Sequence, residues 1–204
     1  MQLHYIYDPL CGWCYGAAPL LRAASQRGGI EITLHAGGMM MGAQRQPAAA
    51  IRQFVIAHDR RMSEMTGQPI GAPYRDVFLN DPTAMFDSEP PITAILAAEE
   101  SGDGLRMLER IQRARFVEGK HIARREVLSG LAEELGIASF DEGYDRWFGA
   151  KTMEHVTASR ALLQEVGGQG FPTFAVKTDG RWRLLESSAY LGRVEEWAKY
   201  LGTL

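Results

Sequence analysis

The chain has 204 residues, 46% hydrophobic and 23% charged, which suffices for one domain with a full core or one domain carrying a large insertion. That balance excludes a predominantly disordered or fibrous protein. With 22 Lys and Arg against 25 Asp and Glu, the net charge of -3 supplies no overall positive field for nucleic acid or an anionic membrane, so neither is expected as a partner.

Met1-Gln2-Leu3 leads straight into a strand-like run, with no basic segment and no small-residue cleavage site, so a cytoplasmic location is expected. No apolar stretch approaches the ~20 residues of a membrane-spanning helix. Residues 3–7 are rich in β-formers and are stopped by Asp8-Pro9, which predicts a strand and a turn. From Gly12 the apolar positions Trp13, Ala17, Leu20, Leu21 and Ala24 recur at helical spacing until Gly28-Gly29, which predicts one helix. Residues 30–36 alternate as a second strand and end at Gly37-Gly38, completing a β-α-β unit with parallel strands and a right-handed crossover.

The long middle reads as helix. Apolar residues at helical spacing occupy 51–65, 91–98, 105–117, 122–135, 140–148 and 152–166, separated by breakers such as Asp81-Pro82 and Gly136. The expected organisation is an α-helical subdomain at 43–149 inserted into a discontinuous core domain, 1–42 and 150–204, with the last of these helices in the core. After Gly167-Gly168-Gln169-Gly170 the period returns to two, and Asp179-Gly180 between residues 173–177 and 182–185 predicts a hairpin. A closing helix over 193–201 aligns Val194, Trp197 and Leu201.

Cys11 and Cys14 are the only cysteines. A cysteine at the first turn of a helix faces unpartnered N–H groups that stabilise a thiolate, which makes Cys11 the expected nucleophile and Cys14, one turn further in, the resolving thiol. Gly12 and Trp13 between them are uncharged, and Trp13 offers an apolar surface beside the sulfur. A structural zinc site would need four ligands, yet His4, His35, His58, His121 and His155 include no pair three to five apart, so no metal is expected. A metal shared between subunits, or no thiol function, stays open at this point. Phe171-Pro172 precedes a strand; alone it reads as an ordinary strand-start proline, since such bonds are cis in only about 5–6% of cases.

Tyr5-Ile6-Tyr7-Asp8-Pro9, Cys11-Gly12-Trp13-Cys14 and Gly170-Phe171-Pro172-Thr173-Phe174 together resemble the thioredoxin superfamily, and within it the DsbA-like branch, including FrnE-type cytoplasmic protein-disulfide isomerases. The resemblance covers nearly the whole chain. It implies an α/β thioredoxin-like fold with an inserted helical subdomain, and it assigns the nucleophilic cysteine to Cys11, the resolving cysteine to Cys14 and a cis-proline to Pro172. It further implies that Gly12, Trp13 and the Phe171 backbone meet an extended substrate peptide. Gly12-Trp13 departs from the Pro-His pair of the periplasmic oxidases, which favours reduction or isomerisation over strong oxidation.

The expected activity is thiol-disulfide oxidoreductase or isomerase chemistry on protein or peptide thiols and disulfides. No cofactor is required beyond the dithiol, and glutathione or another thiol serves as recycling partner. Two rivals remain: a glutathione-dependent transferase or isomerase resembling the kappa-class and hydroxychromene-carboxylate isomerase enzymes, and a non-catalytic chaperone module. Other signals carry less. Met39-Met40-Met41 would suit either a substrate surface or core packing, the basic run from Arg106 to Arg125 reads as a solvated face, and His4 and His35 read as packed or surface residues.

Overall fold

The computed structural model describes residues 1–204. Strand β1, Gln2–Tyr7, is buried at every position from Leu3 to Tyr7, as befits a strand covered on both faces. It pairs in parallel with β2, Glu31–Ala36, from Gln2 opposite Glu31 to Tyr7 opposite Ala36. The expected single helix between them is instead two, α1 at Gly12–Gly16 and α2 at Ala18–Ser25. Pro19, in the first turn of α2, has no N–H to continue the helical ladder, so the chain breaks at Ala17.

The middle of the chain adds a two-stranded ribbon that periodicity could not show, because each strand has two residues: β3, Gln46–Pro47, against β4, Met85–Phe86. Helix α3, Ala48–Thr66, stops at Gly67, whose φ of 73° suits glycine. A π-helical turn at Pro73–Val77 and a 3-10 turn at Phe78–Asn80 precede the ribbon's second strand. Then follow α4 at Glu89–Glu99, α5 at Gly104–Phe116, α6 at Arg125–Leu135 and α7 at Phe140–Trp147. Helix α4 is buried from Pro90 to Ala98, which its nearly unbroken apolar sequence allows. Helix α8, Ala150–Glu165, returns to pack on β2.

Strands β5, Thr173–Thr178, and β6, Arg181–Leu185, form the expected hairpin, with Asp179 and Gly180 both at positive φ (50° and 76°), as a two-residue turn of matching twist requires. The sheet order is β2-β1-β5-β6, with β5 antiparallel to β1. Helix α9, Val194–Leu201, lies against α2, and Trp197 donates its indole N–H to the Leu20 carbonyl at 3.0 Å. No part of 43–149 joins this sheet. We propose that this stretch is the insertion and that 1–42 with 150–204 is the core domain. One hydrophobic cluster of 46 buried residues nevertheless runs through both, from Leu3 to Leu201. No helix is long and apolar enough to cross a membrane.

His4 on β1 and His35 on β2 are packed residues, their Nδ1 and Nε2 atoms 2.9 Å apart, while His155 Nε2 accepts the Ala36 N–H at 3.0 Å. Burial first, then the neighbouring His4 and His155, pushes His35 down from 6.5 to about 4. The unfolded chain therefore binds this proton at a higher pH than the folded one, so stability falls as pH drops from 6.5 towards about 4. In denaturant titrations across that window, His35→Gln should flatten the pH slope; an unchanged slope would assign the acid sensitivity elsewhere.

Candidate active site

The turn after β1 is held by Asp8, a fully buried carboxylate that accepts the Leu10 N–H at 2.8 Å, the Met39 N–H at 2.6 Å and the Ser88 hydroxyl at 3.2 Å. One side chain thus ties the approach to the cysteines, the loop after β2 and the start of α4 together. Burial raises the Asp8 pKa, and the three donors oppose that rise. Asp8→Ala would strand the buried Leu10 N–H and the half-buried Met39 N–H and should cost about 1–3 kcal/mol in urea unfolding; a loss within error would mean the three segments hold themselves in place.

Cys11 is the N-cap of α1. Its Sγ accepts the Cys14 N–H at 3.4 Å and lies 3.6 Å from the Phe171 carbonyl oxygen. Cys11 keeps 7% of its surface accessible and Cys14 none, and both are free thiols. Burial, then the contact with Cys11, pushes the Cys14 thiol well above its ordinary range. Of the two cysteines, Cys11 alone therefore has surface at the molecular boundary, and Cys14 lies behind it.

The Phe171-Pro172 bond is cis. The Phe171 ring lies so close to Gly37 that a Cβ there would collide with it, and Arg160 holds that backbone by donating to the Gly37 and Gly38 carbonyls at 2.7 and 2.5 Å. The structure therefore brings Cys11, Gly12, Trp13, Cys14, Phe171 and Pro172 to one locus. An apolar groove of about 430 Å³ opens beside them, lined by Cys11, Trp13, Met39, Met40, Phe54 and Phe171 among others. Met39 and Met40 face the groove, whereas Met41 is buried, so the methionine run divides between the two roles its sequence allowed. Phe54, on α3, is 65% exposed at the rim and packs on the His58 ring at 4.1 Å. A wider depression of about 920 Å³ between α6 and α7, where charged and polar side chains such as Arg125, Glu133 and Asp141 outnumber apolar ones, holds no thiol.

Two residues of the site escaped the sequence reading. Asp59 on α3 is buried against Gly12, where a Cβ would collide with its Oδ1, and its Oδ2 accepts the Tyr74 hydroxyl at 2.9 Å. Arg115 on α5 is fully buried, with its guanidinium 4.1 Å from the Phe86 ring centre and 5.2–5.4 Å from those of Tyr74, Phe78 and Phe116. No side-chain nitrogen of Arg115 has a hydrogen-bond acceptor. This corrects the expectation of a solvated basic face at that position: Leu108, Ile111 and Arg115 share one buried stripe. Val55, Asp59 and Met62 do the same on α3, so a charge at an apolar helical position was the available signal in both cases.

The profile of the DSBA-like thioredoxin domain matches residues 2–193. The cytosolic disulfide reductase DsbM from Pseudomonas aeruginosa is 48% identical, with a TM-score of 0.95 over 100% of this chain and 98% of that one. Its structure with GSH matches at 47% identity and a TM-score of 0.93, again over 100% and 98%. A 2-hydroxychromene-2-carboxylate isomerase shares the fold at 15% identity and a TM-score of 0.60, over 99% and 96% of the two chains. Among curated proteins no match is found. With the thioredoxin sheet, the helices between its halves and a Cys11-Cys14 pair at the head of α1, the chain belongs to the DSBA-like thioredoxin domain family of disulfide oxidoreductases.

Proposed function

We propose that the chain is a cytoplasmic thiol-disulfide reductase, with glutathione as its thiol partner and protein or peptide disulfides as substrates, and that isomerisation is the same chemistry stopped before resolution. The observation that carries this reading is the asymmetry of the pair: a reachable Cys11 sulfur 3.6 Å from the Phe171 carbonyl, backed by a fully buried Cys14.

The Cys11 thiolate attacks one sulfur of a substrate disulfide. That S–S bond breaks, the first substrate thiolate leaves with a proton from solvent, and a mixed disulfide forms at Cys11. Cys14 then loses its proton and attacks the Cys11 sulfur, releasing the second substrate thiol and leaving a Cys11–Cys14 disulfide. Two glutathione thiols restore the dithiol and leave as glutathione disulfide. Trp13, Met39 and Met40 give flanking apolar side chains of a substrate a surface to lie on, while the Phe171 backbone, beside the cis-proline Pro172, supplies main-chain bonds to an extended peptide with little sequence preference. The reductive direction is supported by the similarity to a cytosolic disulfide reductase and to its structure with GSH.

Equilibration in glutathione buffers tests this. A reversible Cys11–Cys14 disulfide with a potential near the reducing end of about -120 to -270 mV is expected. A pair that stays reduced in every buffer would overturn the redox reading.

A further inference from the structure

We infer that Arg160 is a positioning residue for extended substrates: from α8 it clamps the backbone of Gly37 and Gly38, the seat of the Phe171 ring, and so fixes the Phe171 carbonyl beside the Cys11 sulfur. The inference rests on the reduction of protein or peptide disulfides proposed above and adds the residue that sets how well they bind.

Arg160 reaches from α8 to the loop that leaves β2, where its Nε donates to the Gly37 carbonyl at 2.7 Å and its Nη2 to the Gly38 carbonyl at 2.5 Å. Both glycines are buried, and no other donor reaches either carbonyl. A charged fork that donates to two successive carbonyls fixes direction as well as distance. The N–H groups of the same stretch are taken elsewhere. Gly37 donates to the Tyr7 carbonyl at 2.7 Å, Met39 to the Asp8 carboxylate at 2.6 Å and Met40 to the Ser88 hydroxyl at 3.0 Å. Earlier on α8, His155 accepts the Ala36 N–H. Residues 36–40 are therefore held from β1, from the head of α4 and from α8, and Arg160 is the side chain that holds them by their carbonyls.

This loop is where Phe171 sits. A Cβ on Gly37 would collide with the Phe171 ring, while the φ of Gly37 lies outside the left-handed region, so room for the ring is what requires a glycine here. Ring and loop shift only together, and Arg160 holds the loop. At the backbone end of the same residue, the Phe171 carbonyl lies 3.6 Å from Cys11 Sγ. An extended peptide that pairs with the Phe171 backbone presents its disulfide to Cys11 in a register set by that distance. Loosening the seat blurs the register, which weakens binding of substrates that have a main chain to pair and has little effect on those that have none. Arg160 is not among the side chains lining the groove, so it acts through Phe171.

The test uses the full chain with saturating glutathione as reductant and two probes: a synthetic unfolded peptide joined by one disulfide to a fluorescent thiol, and hydroxyethyl disulfide, which has no peptide groups. Arg160→Gln should raise KM for the peptide about tenfold and change kcat far less, with a several-fold smaller effect on hydroxyethyl disulfide. Arg160→Lys, which offers one head group to two carbonyls, should fall between. In a Phe171→Ala background R160Q should add almost nothing, because the ring through which it acts is gone. A purely structural arginine would lower the unfolding midpoint and affect both probes alike. Equal effects on the two probes, or an undiminished effect of R160Q in the F171A background, overturns the inference. So does an unmoved KM for the peptide, which would mean that the Thr173 hydroxyl, donating to the Gly170 carbonyl at 2.7 Å, holds the Phe171 segment by itself. If R160Q does not fold, R160K with a wild-type KM for the peptide is equally decisive against it. A wild-type chain that reduces neither probe would bring down the proposed function itself, whereas normal wild-type reduction with unmoved variants removes only the role of Arg160.

Discussion

Replacement of Cys11 by serine should abolish disulfide reduction, lowering the rate by about three orders of magnitude or more, because a serine hydroxyl is not ionised at neutral pH and Cys14 has no surface with which to meet a substrate. Replacement of Cys14 by serine should act differently. Cys11 still attacks, but nothing inside the protein displaces the first product, so a mixed disulfide with substrate or glutathione accumulates and is visible as added mass without reductant. The pair of variants separates the rival readings. A glutathione-dependent transferase would be indifferent to Cys14→Ser, and a chaperone module would suppress client aggregation without either thiol. Wild-type turnover in Cys14→Ser, or residual reduction in Cys11→Ser, would sink the two-cysteine mechanism.

Trp197→Ala should be the most damaging substitution outside the site, at about 3–5 kcal/mol. The indole is fully buried, packs edge-on to Phe174 at 5.3 Å between ring centres, and donates to the Leu20 carbonyl in α2. Its loss leaves a cavity and removes the indole's hydrogen bond to α2 where α9 meets the helix that continues from the cysteines. Urea unfolding should show a lower midpoint with an unchanged slope. A loss below about 1 kcal/mol would mean that α9 is peripheral to the core.

The two-residue ribbon of β3 and β4 shows where periodicity stops working, since two residues cannot display a period. The break at Ala17 shows another limit: the apolar spacing of residues 12–24 is continuous, and only the missing N–H of Pro19 interrupts it. Long helices and the Asp179-Gly180 hairpin were legible because their signals are local, either a repeat sustained over several turns or a pair of residues that tolerate positive φ.

The site divides along the same line. The amino-acid sequence by itself determined that two cysteines head a helix after a strand and that a proline starts a later strand, because each depends on residue type and short spacing. Only the tertiary structure decided that Cys14 is wholly enclosed while Cys11 keeps a sliver of surface, that Phe171 is locked on Gly37 beside Cys11, and that Asp59 and Arg115 are buried where they sit. Burial and charge at a site are sums over neighbours far apart in the chain: Gly12, Asp59, Tyr74 and Arg115 come from four separate segments, and no local pattern in any one of them records the other three.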